Sequence, residues 1–431
     1  MFKSSAVAKF DPLLFTDGIP LVTKSDLIAE CIAPFLDWHT LVQCSLVSRH
    51  FNEACNKRIW RKPEFHEGYL HDSLYLFNRF IDLLPRLRPE TRALIAQLDL
   101  SDIEETLYDN VRPHFFEYIV RYVSNLQILK LRRTSFFSVK SLGPLLRQHW
   151  SLPYLCVLDL SFCDHVTDDL LVALAPAMPR LEYLRLDSLG SSAGGERGLA
   201  AFADHAQLVS FSIRNNATIT DGALMAVAKF GKLNVKEIDI TGCHNVTNAG
   251  LQTVARYNIN LQFLSLADTQ CSSETACAFL TGRSARYLRH LDIGFCRNVD
   301  RDATRIARCF KQGPTELKRL AVSMTVAQAI IHELDGQASP APVEYLVIHH
   351  IPEGTHLRFL TLIATVFPSL KHLTLTRDYY EYDFISLGSR DAAEDSVTED
   401  TLKKFNLQQN KIVVTMANMR DTIDGLTIHF W

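Results

Sequence analysis

The chain has 431 residues, 47% of them hydrophobic and 22% charged, which is the balance of an ordinary folded protein. A formal net charge of −3 supplies no basic field, so neither nucleic acid nor an acidic membrane surface is expected as a partner. No run of about 18 apolar residues occurs, so no membrane-spanning helix is expected either.

Residues 1–22 read as a flexible start, and MFKSSAVAKF has neither the apolar core nor the small-residue cleavage site of a secretory signal. The ten cysteines are scattered, without the doubled close spacing of a zinc framework, so no metal or other cofactor is expected. Free thiols without a signal point to a reducing compartment, cytoplasm or nucleus. Residues 23–62 read as a small helical module. Leu27, Ile28, Ile32, Phe35 and Leu36 stand at helical spacing after Ser25, a candidate cap. A second helical run over 40–55 carries Leu41, Leu46, Val47 and Phe51, and the segment closes at Ile59 and Trp60. Residues 63–94, amphipathic over HDSLYLFNRFIDLLPRL, read as a helical connector and cap.

From 95 to 431 one pattern returns. An apolar-x-x-apolar-x-apolar triplet begins at Ile95, Leu126, Leu155, Leu181, Leu208, Val235, Leu261, Leu288, Leu317, Val343 and Leu370, with starts 26 to 31 residues apart. A twelfth match begins at Ile423. In each, alternation places the triplet inward and the residues between it outward, as a short strand requires. Cys163, Asn216, Cys243 and Cys296 follow their strands by a fixed step, where a small buried polar group can satisfy backbone groups at the turn. Thr167, Thr220 and Thr247 stand as helix N-caps. Each lies between an apolar residue and Leu171, Leu224 or Leu251 four positions on, the hydrophobic-staple spacing. The unit is a strand, a turn and a helix, stacked so that parallel strands line a concave face. The same staple at Val397, Thr398 and Leu402 comes late, which marks an insertion near 377–396, and a second lengthening is read near 408–420.

LCVLDLSFCDHVTDDLLVALA (155–175) and VKEIDITGCHNVTNAGLQTVA (235–255) resemble cysteine-containing leucine-rich repeats. The fold class expected is α/β: a leucine-rich-repeat solenoid of about 12 strands behind a small helical module. The segments Leu41-Val42, Cys44-Ser45-Leu46-Val47, Ser48-Arg49-His50-Phe51-Asn52 and Trp60 resemble an F-box. Phe51 stands where that family usually carries tryptophan, and Lys24-Ser25 where its opening Leu-Pro would fall. Together they resemble F-box repeat proteins, similar to the fungal antagonist-of-mitotic-exit type. That resemblance implies a non-enzymatic substrate-recognition subunit of an SCF cullin–RING ubiquitin ligase. Its partners would be a Skp-type adaptor, a cullin and an unknown target protein. The adaptor-binding residues would be Leu27, Ile28, Ile32, Leu36, Leu41, Leu46, Val47, Phe51 and Trp60. The plainer reading makes residues 25–60 a helical cap on a repeat scaffold or inhibitor unattached to a ligase. A repeat-type GTPase regulator is a third.

Target contacts are expected where aromatic and cationic residues face outward: Phe162, Tyr183, Phe263, His290, Phe295, Arg319, Tyr345 and His372. Arg377, Tyr379 and Tyr380 of the insertion join them. Lys130, Asp159 and Arg185 in consecutive coils read as a structural charge ladder. His349 and His350 read as partner-contacting or solvated rather than as zinc ligands. No serine, cysteine and histidine arrangement suggests catalysis.

Overall fold

A computed structural model of the chain describes residues 32–65, 72–101, 103–190, 195–230, 235–312, 314–352, 357–377 and 413–418. Its centre is one open sheet of twelve parallel strands in sequence order, β1 to β12. These are Gln97–Asp99, Ile128–Lys130, Val157–Asp159, Tyr183–Arg185, Ser210–Ser212, Glu237–Asp239, Phe263–Ser265, His290–Asp292, Arg319–Ser323, Tyr345–His349, His372–Arg377 and Val413–Asn418. Each strand pairs with the next in an unbroken register, so that Leu158, Leu184, Phe211, Ile238, Leu264 and Leu291 form one row. Helices return the chain from each strand to the next, among them Asp168–Leu174, Glu196–His205, Asn248–Tyr257 and Ser273–Thr281. The chain is a leucine-rich-repeat solenoid. No helix among the described residues is long and apolar enough to cross a membrane.

The apolar triplets form a continuous core from Phe65 to Leu375. Cys163, Cys243 and Cys296 are buried, and each donates its S–H to a carbonyl of the preceding coil: Leu131, Ile213 and Leu266, at 2.9 to 3.0 Å. Asn216 does the same through its amide, donating to Leu186 O at 2.6 Å. Burial pushes the Cys243 and Cys296 thiols up to about 12, so they act as hydrogen-bonding wedges rather than nucleophiles. Thr167 and Thr247 cap their helices, accepting from Leu170 N and Ala249 N.

Neighbouring helices approach closely. A Cβ on Gly198 would lie 2.4 Å from Leu171 Cβ. Replacing Gly198 by alanine is therefore expected to cost about 1–3 kcal/mol of stability, seen as a lower urea midpoint at unchanged slope. An unchanged midpoint would show that the two helices have room to part.

The N-terminal end is closed by aromatic packing. Phe65 meets Phe77 and Phe80 edge-on, Phe77 meets Phe115, and Phe116 meets Phe137 and Trp150. Ahead of this cap lie two helices, Trp38–Ser45 and Arg49–Arg61, around a small separate core of Ala33, Leu41 and Cys55. Two expectations are corrected here. The run over 40–55 is two helices, broken at Leu46-Val47, because Ser48 caps the second by accepting from Phe51 N. The twelfth strand is Val413–Asn418, within the segment expected to be a lengthened connection, while Ile423 lies outside the described residues.

Candidate functional site

Outward positions alternate along each strand, and neighbours 4.8 Å or so apart across the sheet interact as columns. The first column is stacked in its carboxyl-terminal half. Phe263 lies 4.2 Å from the His290 ring, Arg319 lies 4.7 Å over Tyr345, and Tyr345 stacks on His372 at 4.8 Å and 6°. The register places His290 beside Arg319, so five planar side chains follow one another across β7 to β11. Phe263 and Tyr345 are half-buried, whereas Arg319 and His372 are exposed. His290 is the correction: only 5% exposed, it is a packing residue covered by larger neighbours rather than a contact offered to a partner. Burial lowers its imidazole to about 3, which keeps it neutral.

The middle of the face is a buried polar network. Asp187 accepts from Ser212 Oγ at 2.5 Å and Arg214 N at 3.0 Å, with Arg185 3.5 Å away. Arg214 pairs with Asp239 at 3.2 Å, Thr241 joins Asp239 to Ser265, and Ser265 donates to Asp292. Burial raises the Asp187 carboxyl despite Arg185, and raises that of Asp292 to about 6. Arg185 is thus engaged with Asp187, two residues along the same strand exit, in addition to its place beside Asp159 in the register.

Just past eight of the strands, β2 to β8 and β10, one residue takes a left-handed backbone: Arg133, Phe162, Ser188, Asn215, Gly242, Asp268, Phe295 and His350. For phenylalanine this conformation is strained and persists only where the surroundings enforce it. Phe162 is 36% exposed and carries Arg132 and Arg133 at 4.9 and 5.4 Å over its ring. Phe295 packs on His349 at 4.4 Å and His350 at 4.6 Å. His349 is not the solvated residue expected: it is 1% exposed, hydrogen-bonded to Thr376 at 2.9 Å, and held neutral by burial, at about 3. Among the described residues no group of three or more His, Cys, Asp or Glu is placed to hold a metal ion. Tyr183 is half-buried on β4, and the Arg377 side chain, Tyr379 and Tyr380 lie outside the described residues.

The second candidate surface is the N-terminal helical pair. Leu46 and Val47 at its break are 75% and 70% exposed, and Phe35 nearby in sequence to the same small core is 85% exposed. One expected adaptor contact is corrected: Leu41 is buried in the small core, whereas Trp60 is half-buried against the solenoid core. Leu36 and Phe51 are half-buried against the small core, Ile32 is half-buried, and Leu27 and Ile28 lie outside the described residues. Sequence reading missed Phe35 as a surface residue, because helical periodicity had placed it inward. It also missed the Asp187–Arg214–Asp239 network, although Asp187 and Arg214 recur at one repeat position.

The chain matches no known family's profile and no curated protein. Among solved structures it is similar to a chain of the Rad7 and Elc1 complex in yeast, with 12% identity and a TM-score of 0.45 over 91% of this chain and 100% of that one. It is also similar to the leucine-rich repeat-containing protein LegL7 from Legionella pneumophila, with 14% identity and a TM-score of 0.39 over 71% of this chain and 97% of that one.

Proposed function

We propose that the chain is a non-enzymatic target-recognition subunit of an SCF-type ubiquitin ligase. Its N-terminal helical pair would hold a Skp-type adaptor, and its strand face a target protein. One observation carries this reading: the pair buries its own small core yet leaves Phe35, Leu46 and Val47 exposed, apolar surface that a mere cap would turn inward. The pair is also fixed to the repeats. Trp60 sits against the solenoid core, and Ala96 N donates to Arg61 O at 3.0 Å. A rigid bridge of this kind raises the effective concentration of target beside the ligase, which is all the mechanism requires of the chain. The stacked column from Phe263 to His372 and the strained Phe162 and Phe295 offer the aromatic and arginine surface that protein-binding hot spots favour.

The test is co-purification of the full chain with a Skp-type adaptor and a cullin. Leu46→Asp with Val47→Asp is expected to weaken adaptor binding by about 30-fold or more, as for loss of one hot spot, with target binding and helicity unchanged. If the unmodified chain retains no adaptor, the scaffold reading replaces the ligase reading. That second reading draws on the same stacked face, which needs no ligase to bind a protein.

A further inference from the structure

Two cysteines stand apart from the buried thiols that brace the coils. Cys277 lies on the helix Ser273–Thr281 and Cys309 on the helix Ala303–Gln312 of the following coil. Their sulfurs are 2.9 Å apart, and each is 3.5 Å from the Arg305 carbonyl. Cys163, Cys243 and Cys296, by contrast, each spend their S–H on a carbonyl of another coil and lie in separate turns of the solenoid. Cys277 is half-buried at the helical surface and Cys309 is 8% exposed beneath it, so the pair borders solvent.

From this geometry we infer that Cys277 and Cys309 form a reversible disulfide, a redox-sensitive modification site joining two consecutive helices on the side away from the strands. The sulfurs need to close by less than one ångström to reach bonding distance. The pair is also electronically prepared. Whichever thiol ionises first keeps the other's S–H as a hydrogen bond, with Arg305 nearby, so the first proton leaves more readily and the second is held. The oxidant is a small disulfide such as glutathione disulfide. The thiolate attacks one of its sulfurs, forming a mixed disulfide and releasing one glutathione thiolate. The neighbouring thiol passes its proton to solvent and attacks the protein-bound sulfur, releasing the second. Two protein thiols and one glutathione disulfide become one protein disulfide and two glutathione thiols. The product ties the coil of β7 to the coil of β8.

The experiment treats the reduced full chain with glutathione disulfide, alkylates the remaining thiols and maps the peptides without reduction. The expected result is a loss of two alkylatable thiols, with the Cys277 and Cys309 peptides joined and released again by dithiothreitol. Cys309→Ser, checked for helicity, is expected to keep glutathione on Cys277, and Cys277→Ser supplies the reciprocal variant. The inference is overturned if Cys277 and Cys309 in the unmodified chain both remain alkylatable, if glutathione persists on one of them, or if the linkage involves another cysteine such as Cys156. None of these outcomes depends on whether the chain binds an adaptor.

Discussion

Acidifying the protein from pH 6.5 to pH 4 is expected to remove on the order of 4 kcal/mol of stability, most of it through two histidines. His290 and His349 are held neutral by burial, with folded values of about 3 against an ordinary 6.5. Between those values the unfolded chain binds protons that the folded chain refuses, so stability falls as pH falls, by about 1.4 kcal/mol per unit for each histidine. Asp292 works the other way. Burial raises it from 3.8 to about 6, so across that window the folded chain holds a proton that the unfolded chain releases, and stability rises as pH falls. The opposing contributions leave roughly one histidine's slope between pH 4 and pH 6, reduced further by the raised Asp187 carboxyl, and the slope fades above pH 6.5 as the unfolded histidines lose their protons. Urea midpoints at pH 7.5, 5.5 and 4.5 measure the effect. His290→Gln with His349→Gln should reverse the slope below pH 6.5, while Asp292→Asn should steepen the acid limb and stabilise the protein at pH 7.5. A double variant as acid-sensitive as the parent would remove these histidines from the explanation.

Leu264→Ala is expected to cost about 3–5 kcal/mol, the upper range for a buried leucine whose surroundings cannot collapse into the cavity. Leu264 is fully buried on β7, between Ile238 and Leu291 in register. Because most contacts run between adjacent coils, stability sums approximately along the array, and a weak coil in the middle loosens the coupling of the two ends. The variant should therefore unfold in two steps, with amide-exchange protection lost first around β6 to β8. A single transition at the parent's midpoint, with protection lost evenly, would contradict a nearest-neighbour array.

The repeat was legible because burial acts on it identically in every coil. Leu155, Leu181 and Leu261 all enter one core, and Cys163 and Cys243 satisfy equivalent carbonyls, so one chemical constraint writes one sequence pattern. The last coil hid itself for a specific reason. In the sequence, the residue three places before Val414 is Lys411, not the apolar residue that opens the triplet elsewhere, so the repeat pattern is met again only at Ile423. The helix break at Leu46-Val47 has no glycine or proline to announce it, and only Ser48 marks the new start. The candidate site was read less well. Periodicity says that Trp60 and His290 lie on a given face, yet what covers that face depends on neighbours 27 or more residues away, as Phe263 and Arg319 cover His290. Cys277 and Cys309 met for the same reason: their contact spans 32 residues, beyond any local spacing.

The column of left-handed residues has a consequence for how this surface can diversify. Arg133, Phe162, Ser188, Asn215, Gly242 and Asp268 each donate the backbone N–H to a carbonyl of the next coil, and the bond is indifferent to the side chain. Backbone sterics disfavour β-branched and bulky types there, and no β-branched residue stands at these positions. A row of places thus exists along one rim where arginine, serine, asparagine or aspartate can take the same turn, and phenylalanine can at a cost in strain, so this rim can vary while the spring beneath it keeps its winding.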